Sequence, residues 1–152
     1  IYSGDLISNV AYRMLFGSLL AAFNNSYNTT SSAIGVNQYS YDMETMHQYL
    51  TQVGDHFVAG DFKNFDKNIH PQFQAQAYEI LMKLAETLGT KVARDSFIRQ
   101  QCQSPAQVLD QLVYFKTAHF SGCFFTTIVN NLVHELYLRH AFQQLQPKLS
   151  FS

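Results

Sequence analysis

Apolar residues recur at helical spacing from the start of the chain. Leu6, Val10, Met14, Leu15, Leu19, Ala22 and Phe23 share a face, which predicts a helix over 6–23 with that face inward. Residues 24–41 are rich in Asn, Ser, Thr and Tyr and predict a loop, with a tight turn at Gly35-Val36-Asn37. Met43, Met46 and Leu50 predict a second helix over 42–53. The period then changes. Phe57-Val58-Ala59 is a short continuous apolar run, which predicts a buried strand that sets the Asp61 carboxylate at a sheet edge, with Asp66 on the turn beyond. Pro71 suits a first helical turn, Phe73, Ala77, Ile80, Leu81, Leu84 and Leu88 form a stripe, and Gly89 fits the stop. A further helix is expected over 91–101, ended by Pro105. Residues 112–117, Leu-Val-Tyr-Phe-Lys-Thr, predict a strand, and Ser121-Gly122 a turn. From Cys123 to Leu145 runs a long helix with Ile128, Val129, Leu132, Val133 and Leu136 inward and Pro147 just past its end. This order predicts an α+β fold in which a small antiparallel sheet is flanked by helices.

Composition narrows the picture only a little. A chain of 152 residues, 47% hydrophobic, can bury one core and is no disordered tail. The net charge of −1 gives no bulk electrostatic case for nucleic acid, so any such function must rest on motifs. Cys102 and Cys123 form neither a C-x-x-C nor a zinc spacing, and no apolar run approaches a membrane span. Asn24-Asn25-Ser26 and Asn28-Thr29-Thr30 match glycosylation acceptors, but no secretory signal pattern accompanies them. Ile1 and Ser152 both look like cut ends, so a piece of a larger protein is expected.

The candidate chemistry lies in two places. Asp61 and Asp66 offer the hard oxygens that Mg²⁺ prefers. A D-x4-D pair alone means little, arising by chance about 0.4 times in a chain of this length. Ser121-Gly122-x3-Thr126-x3-Asn130 is more specific, arising in about one chain in a thousand. Thr126 and Asn130 fall one turn apart on one helix face, Ser121 sits where that helix begins, and Gly122 permits a close backbone approach or a positive φ. Ser121, Thr126, Asn130 and Asp66 are therefore expected to line one pocket. His134-Glu135 invites a metalloprotease reading, but Leu138 stands where H-E-x-x-H needs its second His.

Gly60-Asp61-Phe62-x2-Phe65-Asp66 resembles motif A of viral RNA-dependent RNA polymerases, and Ser121-Gly122-x3-Thr126-x3-Asn130-Asn131 resembles motif B. The likeness is to picorna-like positive-strand RNA viruses, dicistrovirus and marnavirus relatives in particular. Gly35-Val36-Asn37-Gln38-Tyr39-Ser40 is similar to the G-x-N-P-x-S stretch upstream of motif A there. Gln38 replaces the usual Pro, and Phe120 stands where those viruses often have Pro, departures that concern loop stiffness. The resemblance implies a right-hand polymerase palm with part of the fingers: residues 1–55 as fingers, residues 56–152 as palm, motif A over 57–66 and motif B over 119–131, with the chain ending before motif C. It implies that Asp61 is the catalytic metal carboxylate, helped by the Phe62 backbone carbonyl, and that Asp66, Ser121, Gly122, Thr126 and Asn130 bind the NTP ribose. Its cofactor is a pair of Mg²⁺ ions, for which Mn²⁺ can substitute, and its partners are RNA template and primer, NTPs and other viral replication proteins. The expected setting is the host cytoplasm, in a replication complex that alone brings it to membranes. Without the motif C acids this piece by itself is expected to be inactive. Another palm polymerase such as a reverse transcriptase, or a non-catalytic helical interaction module, are the rival readings.

Overall fold

The computed structural model describes residues 5–27, 29–103, 105–115, 119 and 121–148. The elements run α1 (Leu6–Asn24), α2 (Asp42–Leu50), α3 (Phe65–Asn68), α4 (Pro71–Thr87), α5 (Arg94–Cys102), β1 (Pro105–Val108), β2 (Gln111–Tyr114) and α6 (Thr126–Leu145). The fold is mixed, mostly helical, with one antiparallel hairpin in which Pro105 faces Tyr114 and Val108 faces Gln111. That hairpin is largely exposed, and its turn puts Leu109 at φ 56°. Pro105, expected only as a breaker, opens β1, a position where its missing N–H costs little. Lys116 and Thr117, the end of the expected strand, lie outside the described residues, as do Asn28 and Phe120.

α4 and α6 form the principal helix interface, and α1 and α5 close over it. On α4 the buried positions are Gln74, Ala77, Tyr78, Leu81, Met82 and Ala85, a clean 3–4 spacing. Ala77 and Leu81 bear out the expected stripe, whereas Leu84 and Leu88 are exposed at the core's edge. There they line a mostly apolar cavity of about 420 Å³ with Leu19, Phe23 and Leu132. α4 stops as expected at Gly89, at φ 86°, where the Thr90 N–H donates to the Ala85 carbonyl and the Gly89 N–H to that of Glu86.

α1 has the expected length but not the expected face. Phe16 and Leu19 are buried and Tyr12 and Phe23 partly so, while Leu6, Val10, Met14 and Leu15 face outward. Aromatic packing decides this rotation. The Phe16 ring lies 5.0 Å from Phe125 and 5.4 Å from Phe97, and Tyr12 lies 5.6 Å from Phe97. Such pairs add about 0.5–1.5 kcal/mol each beyond their buried area. Contrary to expectation, α1 is also long and apolar enough to cross a membrane by length and composition, a test that core helices pass too.

The largest departure is the run Phe57-Val58-Ala59. Residues 56–62 form no strand, Val58 is fully exposed and Phe57 is 60% exposed. No strand among the described residues pairs with it, and a lone extended segment can neither satisfy its backbone groups nor cover its side chains.

Candidate functional site

The segment after that run is anchored, although the run itself is not. Asn64 takes a left-handed conformation, φ 53°, which Asn tolerates better than most residues, and this turns the chain into α3. The Phe62 and Phe65 rings pack at a tilt of 49°, their centroids 5.1 Å apart. Phe62 then meets the edge of His134 at 5.4 Å, and Phe65 meets Tyr137 at 6.4 Å. The Tyr137 hydroxyl in turn accepts from the His70 N–H at 2.8 Å. His134 and Tyr137 lie one and two turns beyond Asn130 on the same side of α6. The turn bearing Asp66 is therefore laid along the helix face that carries Thr126 and Asn130.

A backbone bond closes this junction. The His119 N–H donates to the Asp66 carbonyl at 2.9 Å, joining the Asp66 turn to the segment that leads into Ser121. Asp66 is half-buried, Ser121 is exposed, and Gly122 is half-buried with its carbonyl accepting from the Asn9 side-chain amide at 3.3 Å. α6 begins at Thr126, three residues later than expected, and the Thr126 hydroxyl donates to the Cys123 carbonyl at 2.8 Å. One turn on, Asn130 has a buried Oδ1 with no hydrogen-bond partner among the described residues. A buried acceptor left without a donor costs about 1–3 kcal/mol.

Asp61 stands in a different setting. It lies in the irregular segment and is exposed. Among the described residues no three His, Cys, Asp or Glu side chains group as a metal site. The donor set fits one carboxylate ligand of a divalent ion, and it does not by itself make a two-ion centre.

The Gly35–Ser40 stretch forms the tight turn that its sequence predicts. Gly35 sits at φ 95°, and a Cβ there would meet the Asn24 carbonyl oxygen at 2.4 Å. The Asp42 carboxylate ties this turn to the start of α2, accepting from the Asn37 N–H at 3.1 Å and the Tyr27 hydroxyl at 2.8 Å. These bonds hold its carboxyl below the usual range. Asn37 acts through its Oδ1, which accepts from the Tyr39 N–H at 3.0 Å.

Reading the sequence missed Gln74, His119 and Tyr137. The first two are polar residues within a core pattern, and a search for apolar stripes passes over them. The aromatic spacing Phe62, Phe65 and Tyr137 was the available signal for the third.

A family model described as viral RNA-dependent RNA polymerase matches residues 4–150. The genome polyprotein of Human rhinovirus 3 is 28% identical over 141 residues, covering 91% of this chain and 6% of the polyprotein. That of Human rhinovirus 1B is 28% identical over 144 residues, with the same coverage. The chain thus spans about 6% of the length of these curated relatives. They bear out the picorna-like resemblance. No solved structure matches the chain.

Proposed function

The chain belongs to the viral RNA-dependent RNA polymerase family, and from that premise we propose that it forms palm, with fingers over residues 1–55, in a polymerase that copies the RNA genome of a positive-strand virus. The reaction joins a ribonucleotide to an RNA 3′-hydroxyl, with attack on the α-phosphate and loss of pyrophosphate. Asp61, with the Phe62 carbonyl, is one ligand of a divalent ion, Mg²⁺ or Mn²⁺, which when bound supplies charge stabilisation at the phosphate. The other acids of that centre are contributed by parts of the polymerase outside this chain. RNA template, primer and NTPs are its partners, together with other viral replication proteins in the host cytoplasm. Membranes are reached only through that replication complex.

The chain's own residues select the sugar. The observation that carries this reading is the buried, unpaired Oδ1 of Asn130 on the α6 face that receives the Asp66 turn. A ribose 2′-hydroxyl is a donor of the kind that acceptor lacks, and it is what separates RNA from DNA precursors. Asp66 adds a second acceptor, and Ser121, Gly122 and Thr126 shape the approach where α6 begins. A site built to bond a hydroxyl rejects the analogue lacking it, because its buried polar groups are then left unpaired.

The test is single-nucleotide incorporation by the full polymerase with rNTP and dNTP. Asp66→Ala and Asn130→Ala should each narrow the rNTP/dNTP ratio in kcat/KM about tenfold or more. The double variant should fall short of the product of the two, because they serve one network. An unchanged ratio in both single variants removes the 2′-hydroxyl role.

A further inference from the structure

Two polar side chains are sealed in the apolar core beside this site. Gln74 on α4 is 1% exposed and His119 is 3% exposed. The Gln74 Nε2 lies 3.3 Å from His119 Nδ1, and the edge of the His119 ring faces Tyr78 at 6.0 Å between centroids. His119 Nε2 is buried without a partner among the described residues. Burial pushes the imidazole down to about 4, so the ring is neutral at physiological pH.

An apolar pair of the same shape would hold the core as well or better, since both desolvation costs would vanish. A buried polar pair adds direction instead: its bond fixes one element against another. Here the element so fixed is the backbone of His119, whose N–H donates to the Asp66 carbonyl at 2.9 Å. The helical turn that carries Asp66 is only four residues long and cannot hold its own geometry. A continuous path thus runs from α4 through Gln74 and the His119 ring to the His119 N–H and Asp66.

We infer that the Gln74–His119 pair is a positioning device for Asp66, so that the sugar selectivity of the polymerase is set partly from inside the α4 core. This rests on the ribose-reading role of Asp66. Neither Gln74 nor His119 touches the nucleotide.

The experiment measures the rNTP/dNTP ratio in kcat/KM and the thermal midpoint of the full polymerase. The variants are Gln74→Leu, the apolar pair Gln74→Leu/His119→Phe, Asp66→Ala, and Asp66→Ala combined with Gln74→Leu. A fifth, Ala85→Gly, lies on the same buried face about 16 Å along α4 from Gln74 and controls for general loosening. The expected result is a narrowing of about fivefold for Gln74→Leu, the size of one hydrogen bond, and a similar narrowing for the apolar pair although its midpoint stays near wild type. Gln74→Leu should add nothing in the Asp66→Ala background. If Asp66→Ala narrows the ratio while Gln74→Leu and the apolar pair do not, the positioning role is overturned and ribose reading stands. If Ala85→Gly narrows it as much as Gln74→Leu, the effect is general loosening and the positioning role is again overturned. If Asp66→Ala itself leaves the ratio unchanged, the ribose reading fails and the inference with it.

Discussion

Two apolar stretches of similar character meet different fates in this molecule. Ile128, Val129 and Val133 of α6 are buried against α4, while Phe57 and Val58, four and three residues before the catalytic candidate, stand in solvent. A helix satisfies its own backbone and needs only a partner surface, which α4 provides. A strand needs a partner strand before it is a strand at all, and among the described residues none reaches the run. The two motifs of the proposed site thus lie on opposite sides of a physical divide. The residues proposed to read the sugar lie on or beside packed helices, and the acid proposed to bind metal lies in an exposed irregular segment.

The sharpest way to expose that divide is Asp61→Ala in the full polymerase. Incorporation should fall by about 10³-fold or more, because a metal ligand contributes to charge stabilisation in the transition state. Stability should stay within about 0.5 kcal/mol, since the side chain is exposed and outside the core. Rapid-quench kinetics beside urea unfolding checks both. A variant retaining a tenth of wild-type activity would take Asp61 out of the metal site.

On the packed side the telling residue is His119. Its folded value of about 4 lies below the ordinary 6.5, so the unfolded chain takes up the proton first. The neutral ring's contribution is complete above about pH 6.5 and is lost as the pH falls toward 4, about 3 kcal/mol in all. Urea unfolding of wild type and His119→Phe from pH 7.5 to 4 should show a stability difference that changes by about that much. A difference independent of pH would mean that the ring is not buried as a neutral base.

Helix positions and the Gly89 stop were legible in the sequence, because a 3.6-residue period and a glycine at a helix end have local causes. The inward face of α1 was not. Counting aliphatics favoured Leu6, Val10 and Met14, and the contest was won by Phe16 and Tyr12, whose ring partners Phe97 and Phe125 are far away in the chain. The strand expected at 57–59 failed for the same reason in stronger form, since pairing is never local. In the site, Thr126 and Asn130 were legible as one helical face from their spacing alone. The joining of the Asp66 turn to that face was not, because it runs through the His119 backbone and the Phe62 and Phe65 rings.

Two glycine turns offer an intermediate test. Gly35→Ala forces a Cβ to within 2.4 Å of the Asn24 carbonyl oxygen at a φ of 95°, so it should destabilise by about 2 kcal/mol or more. Gly89→Ala, at φ 86° with open space around it, should cost only about 1 kcal/mol. Equal losses in thermal unfolding would mean that the Asn24 contact is not rigid.

The smallest effect bears most directly on the comparison. Val58 is fully exposed in this chain, so Val58→Ser should change the stability of the 152-residue chain by no more than about 0.5 kcal/mol. Val133→Ser, in the packed face of α6, should cost several times that, because it leaves a cavity and buries a hydroxyl. In the full polymerase the expectation for Val58 changes. If the 57–59 run acquires a partner strand there, its side chains become covered, and the same substitution should cost about 1–2 kcal/mol and slow incorporation by shifting Asp61. The comparison is therefore between one substitution in two lengths of chain, read by urea unfolding. A Val58→Ser penalty that rises with the longer chain identifies the run as a strand completed from outside these residues. A penalty that stays near zero in both would mean that the acid is held by an irregular segment even in the working enzyme, and that its position depends on the Phe62 and Phe65 anchors alone.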